Sequence, residues 1–332
     1  MNFSRGTRIL IIKMSSIGDI VHSLPAVHSI KVGLNASIDW VVHPLYATLV
    51  SCFMDVDGIV NWPRSSSVRD FIKGIKALRT VEYDIVIDFQ GLFKSAIVSY
   101  FSRSTRKIGH ILNREGAFLF YNEKCGNKKI RRHAIERYYD FVSYLNIPML
   151  PVSFPITYPH LDSVPADESL VGILPFSRWQ SKTWPLNFFI QVANELYNNF
   201  GITIVLFGSE DDKRLASDFE REYRGKLINL VGKLSFPYLV SWLAKLQFLI
   251  SNDSGPMHLA VAVGTPVIAL FGPTDPVRTG PYGSIHKVLT AKLNCQPCLG
   301  TKCKFKDTSC MRSITPELVL SEAFNMLKQV KG

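Results

Sequence analysis

The stretch that decides the fold is Phe248–Phe271, whose sequence is FLISNDSGPMHLAVAVGTPVIALF. It opens with the apolar run Phe248–Ser251 and closes with the apolar run Val267–Phe271, and short runs of this kind predict buried strands. Between them, Pro256–Val263 predicts a helix, because proline is favoured at the first helical position. Two strands joined through a helix form a βαβ unit with parallel strands. The stretch therefore predicts an α/β fold built on a parallel sheet.

The alternation of strand and helix continues through the C-terminal half of the chain. Apolar runs predict two further buried strands, at Leu170–Leu174 and Ile202–Phe207. Segments with a helical period predict helices at Pro185–Asn198, Asp211–Tyr223, Pro237–Lys245 and Thr315–Lys328. The last of these helices is expected to close the domain.

The N-terminal half shows the same pattern and predicts a second α/β domain. Its strands are predicted at Arg8–Lys13, Ile38–Val42 and Asp84–Asp88. An amphipathic helix with a basic outer face is predicted at Arg69–Arg79. The pattern breaks over residues 146–165, where five prolines predict a linker, so we expect domains at 1–150 and 151–332. Because α/β sheets bind ligands beyond the carboxyl ends of their strands, the expected site is a cleft between the domains.

Length and composition agree with two domains that remain inside the cell. The chain has 332 residues, 47% of them hydrophobic, which is enough for two separate cores. No apolar run is long enough to cross a membrane, and the first one, Ile9–Ile12, is too short for a signal peptide. The sequence therefore predicts a cytoplasmic protein.

Positive charge is concentrated in the N-terminal half. The chain has a net charge of +11. Residues 103–137 hold ten Lys or Arg against three Glu, a local charge of +7, and residues 64–79 hold five against one Asp, a local charge of +4. This field favours nucleic acid, an acidic membrane surface or a phosphorylated substrate as the partner, while a merely solvated basic face remains the alternative. No nucleic-acid-binding motif accompanies the charge.

The first βα loop, Met14–Asp19, places a carboxylate where α/β folds bind ligands. The loop follows a predicted strand and precedes a helical stretch, in which Pro25 implies a late start or a kink. It has one glycine, Gly18, and not the three of a dinucleotide-binding loop, which counts against an NAD enzyme. Asp19 is thus either a helix N-cap or a catalytic residue that faces the cleft.

Two loops of the C-terminal half are candidates for binding phosphate. In Ser251–His258 a buried strand ends and a helix begins, and free N–H groups at a helix start attract anions, unless the helix is capped for structural reasons alone. Asp253 would repel a phosphate and is expected to meet a hydroxyl or to orient the loop. In Ser177–Lys182, the ammonium of Lys182 either neutralises a diphosphate leaving group or is simply solvated.

Four cysteines near the C-terminus have the spacing C-x2-C-x4-C-x6-C, and their neighbours predict a loop. Close cysteine pairs suit a structural zinc ion, while free thiols and a disulfide are the alternatives. The cysteines are Cys295, Cys298, Cys303 and Cys310. The sequence predicts that they are dispensable for chemistry, and the histidines do not form a metal-ligand pattern.

Four segments occur in the order found in a known enzyme family. They are ILIIKMSSIGDIVHSLPA at 9–26, FQGLFKSA at 89–96, KTWP at 182–185 and SNDSGPMHLAVAVGTPVIALFGPTDP at 251–276. In them the chain resembles the ADP-heptose:lipopolysaccharide heptosyltransferases, glycosyltransferase family nine, over nearly its whole length. The first segment, together with REGAFLFYN at 114–122, is most similar to the heptosyltransferase I branch, which adds the first heptose to the Kdo of lipid A.

The resemblance implies a fold and roles for the matching residues. It implies the GT-B architecture of two facing Rossmann-like domains, with the acceptor in the N-terminal domain and the nucleotide sugar in the C-terminal domain. It implies that Asp19 is the general base, that Lys182 contacts the donor phosphate and that Asp212 lies near the donor ribose. The other donor-binding residues are expected to be Ser177, Asp253, Ser254, Gly255 and His258. The acceptor-binding residues are expected to be Gly18, Arg64 and Arg114.

The implied reaction is a single inverting displacement. Asp19 takes a proton from the acceptor hydroxyl as its oxygen attacks the anomeric carbon, and ADP leaves. Lys182 and the backbone amides of Ser254 and Gly255 stabilise the charge on the leaving phosphate, so catalysis requires no metal or other cofactor. The expected partners are ADP-heptose, phosphorylated Kdo-lipid A and the anionic inner membrane, at which the enzyme is expected to be peripheral; nucleic acid is not expected.

Two departures from the heptosyltransferase I branch leave alternatives open. The segment Phe176–Trp179 lacks the threonines of that branch, and the cysteine array is more typical of other branches. The alternatives are a transferase of the same fold with another acceptor or nucleotide sugar, such as heptosyltransferase II or III, and a non-catalytic anion-binding protein. The joint presence of Asp19, Lys182 and Asp253 favours an enzyme.

Overall fold

The chain forms two compact units, Met1–Thr157 and Tyr158–Gly332. The structure is a computed structural model that describes residues 6–62, 67–127, 131–161 and 169–330. This division lies after Thr157, a few residues beyond residue 150, where the sequence places the boundary. Among the described residues, no helix is both long and apolar enough to cross a bilayer.

The first unit contains a parallel sheet with six strands in its described part. The strands are β1 Arg8–Ile12, β2 Ser37–Val42, β3 Gly58–Asn61, β4 Ile85–Asp88, β5 Arg106–His110 and β6 Glu123–Cys125. Their order is β3-β2-β1-β4-β5-β6. Residues 9–12 of β1 are all fully buried. Because successive side chains point to opposite faces of a strand, both faces of the sheet are covered at its centre.

Helices connect these strands. They are α1 Ile17–Leu34, α2 Ala47–Val50, α3 Val68–Leu78, α4 Phe93–Phe101 and α5 Ala134–Tyr144. Two short 3₁₀ helices occupy Pro44–Tyr46 and Ala117–Phe120. α1 begins directly after the first loop and continues through Pro25, so the late start that this proline implies is wrong. Every residue of α1 from Ile20 to Val27 is buried, and the helix packs on α5; this burial outweighs the hydrogen bond that the proline removes.

The second unit repeats this plan over the residues described. Its strands are β7 Leu170–Leu174, β8 Thr203–Leu206, β9 Leu227–Asn229, β10 Phe248–Asn252, β11 Val267–Phe271 and β12 Lys287–Thr290. All neighbours pair in parallel, in the order β12-β11-β10-β7-β8-β9. The helices are α6 Leu186–Phe200, α7 Lys213–Glu222, α8 Phe236–Ala244, α9 Gly255–Ala262, α10 Pro276–Thr279, α11 Ser309–Arg312 and α12 Pro316–Val330. The 3₁₀ helices are Gln180–Lys182 and Glu210–Asp212.

In both sheets the winding reverses at the first strand. β2 and β3 lie on one side of β1 and β4 on the other, and in the second unit β8 and β9 lie on one side of β7 and β10 on the other. Open α/β sheets bind ligands beyond the carboxyl ends of the strands at such a switch point. The loops after β1 and β4, and the loops after β7 and β10, are therefore the places where function is expected.

The predicted α/β class, with a parallel sheet in each half, is confirmed. The strands that the sequence did not predict are β3, β5, β6, β9 and β12. All of these except β5 are edge strands. An edge strand packs against fewer neighbours, so its sequence lacks a continuous apolar run; β12, with the sequence KVLT, has one buried residue.

Candidate active site

The loops that follow β1 and β4 are joined by one glutamine. Gln90 lies just after β4, and its Oε1 accepts hydrogen bonds from the backbone N–H groups of Met14 and Ser15, each at 3.1 Å. Both donors belong to the loop after β1. The amide therefore fixes the backbone of the loop that leads to Asp19.

A buried carboxylate holds Gln90 in turn. Asp88 ends β4 and is fully buried. Its Oδ1 accepts from the N–H groups of Gln90 at 2.8 Å and Gly91 at 3.0 Å, and its Oδ2 accepts from the Tyr121 hydroxyl at 2.6 Å. Burial raises the pKa of Asp88, and these hydrogen bonds oppose the rise. Asp88 thus fixes the backbone of the loop after β4, from which Gln90 projects.

Asp19 is the third residue of α1, and the N-cap position that the sequence offered for it is wrong, because Ser16 is the N-cap residue. Its Oδ2 accepts from the Ser16 N–H at 3.1 Å and from the Ser16 hydroxyl at 2.8 Å. The Asp19 side chain is half-buried, and the neighbouring Gly18 is buried. Asp19 therefore belongs to the capping box of α1 as its third residue and not as its N-cap. A carboxylate has about four acceptor positions, so this cap leaves the catalytic role compatible with the geometry.

A buried lysine accompanies the loop. Lys13 directly follows β1 and is 3% exposed, and its Nζ donates to the Phe89 carbonyl at 3.4 Å and lies 5.7 Å from the centroid of the Tyr138 ring. Burial by itself lowers the pKa of this ammonium, but Tyr138 and the carboxylates of Asp19 and Asp88 outweigh it, and the pKa is raised. Lys13 therefore carries a positive charge within electrostatic reach of Asp19.

The two arginines expected at the acceptor differ in what the structure describes. Arg114 is exposed, and its backbone N–H donates to the Gly91 carbonyl at 2.9 Å, which places it beside the loop after β4. Arg64 lies outside the described residues. The structure thus places Gly18 and Asp19 in the first turn of α1, after β1, and Arg114 beside the loop after β4, both near the switch point of the first sheet.

In the second unit, side chains from three loops meet at one carboxylate oxygen. The Oδ2 of Asp253, just after β10, accepts from Lys182 Nζ at 2.6 Å and from Thr274 Oγ1 at 2.7 Å. Lys182 ends the 3₁₀ helix after β7, and Thr274 lies in the loop after β11. The side chains of Lys182 and Asp253 are 16% and 6% exposed, so this ion pair is largely withdrawn from water.

Two further contacts position Lys182. Its Nζ lies 4.4 Å from the centroid of the Trp179 ring, a cation–π contact. The preceding residue, Ser181, donates its hydroxyl to the Gly300 carbonyl at 2.6 Å. The Trp179 ring therefore holds the Lys182 ammonium, and the hydrogen bond from Ser181 to Gly300 holds the turn that carries it.

Asn252, the last residue of β10, ties the loops of this site together. It is fully buried, its Oδ1 accepts from the Trp184 N–H at 3.1 Å, and its Nδ2 donates to the Pro175 carbonyl at 2.7 Å. These partners lie on either side of Lys182 in the chain after β7. A buried amide with both polar atoms paired favours a single arrangement of the two loops.

The start of α9 has the features of an anion-binding helix terminus. Ser254 is its N-cap residue, Gly255 is its first residue and Pro256 lies in its first turn. The first N–H groups of a helix have no partner within the helix, and the helix dipole makes them favourable for phosphate. His258 is buried within α9.

The remaining predicted donor residues lie in the loops after β7 and β8. Asp212 accepts at Oδ2 from the N–H of Ser209 at 2.8 Å and from its hydroxyl at 2.6 Å, so it caps its own 3₁₀ helix. β8 is adjacent to β7, which brings this turn to the same end of the sheet as Lys182. Ser177 is half-buried in the loop after β7. Contact of either residue with the donor stays a prediction.

The cysteines of the C-terminal array are free thiols. Cys295 and Cys298 are exposed, whereas Cys310 is buried. Burial raises the pKa of the Cys310 thiol, and the three other thiols of the array raise it further. In the ranges that the structure describes, no three His, Cys, Asp or Glu side chains are arranged to hold a metal ion. The disulfide alternative is wrong, and the zinc alternative has no support from this geometry.

The loop that carries these cysteines contacts the site directly. Besides the bond from Ser181 to Gly300, the N–H of Leu299 donates to the Pro273 carbonyl at 2.8 Å. The loop is therefore hydrogen-bonded both to the turn that carries Lys182 and to the segment that precedes Thr274.

Sequence reasoning missed Lys13, Gln90 and Thr274. A signal was present for each, because each lies within a few residues after a buried strand, where a polar side chain points toward the ligand end of the sheet. Their partners could not be identified without the strand order.

Comparison with known proteins gives a consistent result. Residues 71–309 match the family model described as Glycosyltransferase family 9 (heptosyltransferase). The chain is 30% identical to lipopolysaccharide heptosyltransferase 1 of Escherichia coli over 308 residues, which cover 86% of this chain and 93% of the relative. It is 29% identical to the protein of the same name from Pseudomonas aeruginosa over 91% of this chain and 88% of the relative. It is 26% identical to lipooligosaccharide heptosyltransferase 2 of Campylobacter jejuni over 94% and 96%.

Solved structures extend the likeness to three dimensions. The structure of Escherichia coli heptosyltransferase WaaC with ADP has a TM-score of 0.77 at 26% identity and covers 96% of this chain and 100% of that chain. Escherichia coli ADP-heptose lps heptosyltransferase II has a TM-score of 0.82 at 23% identity, with 98% and 100% covered. This likeness confirms the predicted GT-B fold class.

Proposed function

The chain belongs to glycosyltransferase family 9, the heptosyltransferase family, and from this premise we propose that it transfers L-glycero-D-manno-heptose from ADP-heptose to the Kdo of lipid A. The first unit binds the acceptor and the second unit binds the donor. Support for this acceptor comes from the relatives named heptosyltransferase 1 and from the segments at 9–26 and 114–122. The observation that carries the donor assignment is the cluster of Lys182, Asp253 and Thr274.

This cluster suits a nucleoside diphosphate. The ammonium of Lys182 neutralises Asp253, so the carboxylate no longer repels a phosphate. The N–H groups at the start of α9, at Ser254 and Gly255, add positive potential from the other direction. As ADP leaves, negative charge grows on its phosphate, and groups already aimed at that charge stabilise the transition state more than the ground state.

Asp19 supplies the base in this proposal. The acceptor hydroxyl forms a bond to the anomeric carbon, its proton passes to Asp19, and the bond to the diphosphate breaks with its electron pair on ADP. The configuration at the anomeric carbon inverts. General-base assistance is worth about 10²–10⁴-fold in rate. The hydrogen bonds from Ser16 fix the carboxylate, and the charge of Lys13 favours its ionised form.

The place of action follows from the acceptor. Kdo-lipid A is a membrane lipid, so we propose that the enzyme works in the cytoplasm as a peripheral protein of the inner membrane. The excess of positive charge over residues 64–79 and 103–137 supports this, because an anionic leaflet attracts such segments.

A second candidate is the same reaction on a later acceptor. The Campylobacter jejuni relative named heptosyltransferase 2 covers 94% of this chain at 26% identity. The segment Phe176–Trp179 also lacks the threonines of the first-heptose branch. The roles of Asp19 and Lys182 would be unchanged, and the acceptor would already carry one heptose.

One assay separates these candidates. Purified protein is incubated with ADP-heptose and either Kdo-lipid A or the same lipid bearing one heptose, and mass spectrometry detects the added heptosyl group. Transfer to Kdo-lipid A alone supports the first proposal. Transfer to the heptosylated lipid alone makes the second candidate correct. Absence of both products from a folded protein that binds ADP rejects the two together.

A further inference from the structure

One surface of the first unit exposes apolar side chains that the fold does not bury. It is formed by α4 and the 3₁₀ helix Ala117–Phe120. The inner side of this helix packs on α4, where Phe120 contacts a small cluster that includes the fully buried Ala96. Its outer side leaves Leu119 73% exposed and Phe118 47% exposed. Leu119 is the most exposed large hydrophobic residue of the described chain.

Aromatic rings continue this apolar surface onto α4. The ring centroid of Phe120 lies 5.6 Å from that of Phe93 and 5.8 Å from that of Tyr100, both in edge-to-face geometry. Phe93 is 44% exposed and Tyr100 is 55% exposed. Together these five residues of α4 and the 3₁₀ helix form what we call the aromatic face, namely Phe93, Tyr100, Phe118, Leu119 and Phe120.

Lysines lie directly over the aromatic face. Lys107 donates from Nζ to the Tyr100 carbonyl at 2.6 Å and lies 5.5 Å from the centroid of the Tyr100 ring. Lys124 Nζ lies 5.4 Å from the centroid of the Phe118 ring. Each ammonium therefore makes a cation–π contact with a ring of the face, which places positive charge beside the exposed apolar side chains.

Two nearby acidic groups are already engaged. Glu123 accepts two hydrogen bonds from the Arg106 guanidinium, at 2.9 and 2.8 Å, and this pairing lowers the pKa of Glu123. Glu115 accepts from the Phe93 N–H at 3.2 Å. Arg106 offsets the charge of Glu123, and the two lysines outnumber the remaining carboxylate of Glu115, so the face combines apolar area with positive charge.

We infer that the aromatic face is a docking surface for an anionic lipid bilayer, with Phe118 and Leu119 entering the interfacial region. Aromatic rings and leucine beside lysine match the chemistry of that region, where acyl chains meet anionic headgroups. The inference rests on the proposed function in one respect, since a lipid acceptor gives the enzyme a reason to reach the bilayer. It adds an apolar element to what would otherwise be attraction by charge alone.

The test measures binding to vesicles that contain no acceptor. Full-length protein is floated with vesicles of phosphatidylethanolamine and phosphatidylglycerol, and with vesicles of phosphatidylcholine alone. The test variant is Phe118→Ser/Leu119→Ser. The matched control is Tyr238→Ser/Leu318→Ser, which removes residues that are 49% and 43% exposed in the second unit. Lys107→Gln/Lys124→Gln tests the contribution of charge.

We expect vesicle binding to depend on the aromatic face and on the charge of the lipid. Wild-type protein floats with the anionic vesicles and binds the neutral ones weakly. Phe118→Ser/Leu119→Ser partitions about tenfold less, because binding scales with the apolar area buried. The lysine variant loses its preference for anionic lipid, and the control behaves as wild type. Melting temperatures remain close to wild type, because the substituted side chains are exposed.

Three results would overturn the inference. One is wild-type protein that does not bind acceptor-free anionic vesicles. Another is a serine variant that binds them as wild type does. A third is a serine variant that loses transfer to a water-soluble, deacylated acceptor as severely as it loses vesicle binding, which would make the face part of the acceptor site. Failure of heptosyl transfer by wild-type protein, with vesicle binding intact, would refute the proposed function and leave the docking surface standing.

Discussion

Lys182 Nζ and Asp253 Oδ2 are 2.6 Å apart, in an ion pair mostly withdrawn from solvent. The pair removes a conflict in the sequence, which places a carboxylate beside a candidate phosphate site. With the ammonium bound to it, the pair carries no net charge, so Asp253 no longer opposes the positive potential at the start of α9. Lys182 therefore neutralises Asp253, and we propose that it also contacts the donor.

The first prediction concerns both of these roles. Lys182→Ala should weaken ADP binding about tenfold or more, since it removes a charge-assisted contact and also uncovers the Asp253 carboxylate. Adding Asp253→Asn to this variant should restore part of the affinity, because the repulsion is then absent. Calorimetric titration measures the ADP affinity of the wild-type protein, of Lys182→Ala and of the double variant.

Lys226→Ala is the control, because Lys226 is an exposed lysine elsewhere in the second unit. Thermal melting must accompany the titrations, since removing one partner leaves a buried carboxylate without its cation. ADP affinity unchanged in Lys182→Ala would exclude Lys182 from the donor site.

The second prediction concerns Thr274, whose hydroxyl donates to the same oxygen of Asp253 as Lys182 does. Thr274→Val keeps the size of the side chain and removes the donor, so Asp253 gains freedom to turn and Lys182 loses its fixed position. ADP binding should weaken several-fold in Thr274→Val and stay near wild type in Thr274→Ser. A serine variant as weak as the valine variant would show that the methyl group, and not the hydroxyl, matters.

The sequence predicted the candidate donor residues but not the contacts between them. Lys182 and Asp253 are 71 residues apart, and they meet because the chain crosses back so that β10 pairs with β7. No local pattern encodes that crossover. The same holds for Thr274, whose role depends on β11 lying next to β10. A residue type at the end of a strand can be predicted, whereas its partner needs the order of the strands.

The fold shows the same division between local and tertiary information. Central strands such as β1 and β10 are buried on both faces, so their apolar runs are readable in the sequence. Edge strands such as β12 are not buried on both faces, and the sequence did not predict them. In α1 the sequence misled, because Pro25 is tolerated inside a helix whose neighbouring residues are buried.

The third prediction concerns the acceptor. Arg64→Glu/Arg114→Glu should raise the KM for Kdo-lipid A about tenfold and leave ADP affinity near wild type, because both arginines are assigned to an anionic acceptor and not to the donor. Arg224→Glu, an exposed reversal in the second unit, serves as the control. Loss of ADP binding in a folded Arg64→Glu/Arg114→Glu protein would contradict the assignment.

The fourth prediction is a shift in pH dependence. Lys13→Met replaces a buried ammonium by an apolar side chain of similar length. Without that positive charge the Asp19 carboxylate is easier to protonate, so the acidic limb of the kcat/KM profile should move to higher pH. Lys31→Met, a substitution on α1 outside the candidate site, should leave the limb in place. An unchanged acidic limb in Lys13→Met would mean that Lys13 has no electrostatic effect on the base.

The last prediction separates the two roles of Asp19. Its Oδ2 already accepts both hydrogen bonds from Ser16, the N-cap residue of α1, and loss of an N-terminal capping interaction costs roughly 0.5–2 kcal/mol of stability without abolishing chemistry. Asparagine keeps a side-chain oxygen that accepts the same hydrogen bonds from Ser16, but it is not a base at neutral pH. Asp19→Asn should therefore melt close to wild type and bind ADP within a few-fold. Its kcat should fall by about 10²–10⁴-fold.

Asp19→Ala is the companion variant, because it removes the cap and the base together. It should lose as much activity as Asp19→Asn and, in addition, melt at a lower temperature, since the N–H and hydroxyl of Ser16 lose their acceptor. If Asp19→Asn retained near-normal kcat while Asp19→Ala lost stability, Asp19 would be a cap and nothing more. The proton of the acceptor would then have to pass to a different group of the first unit.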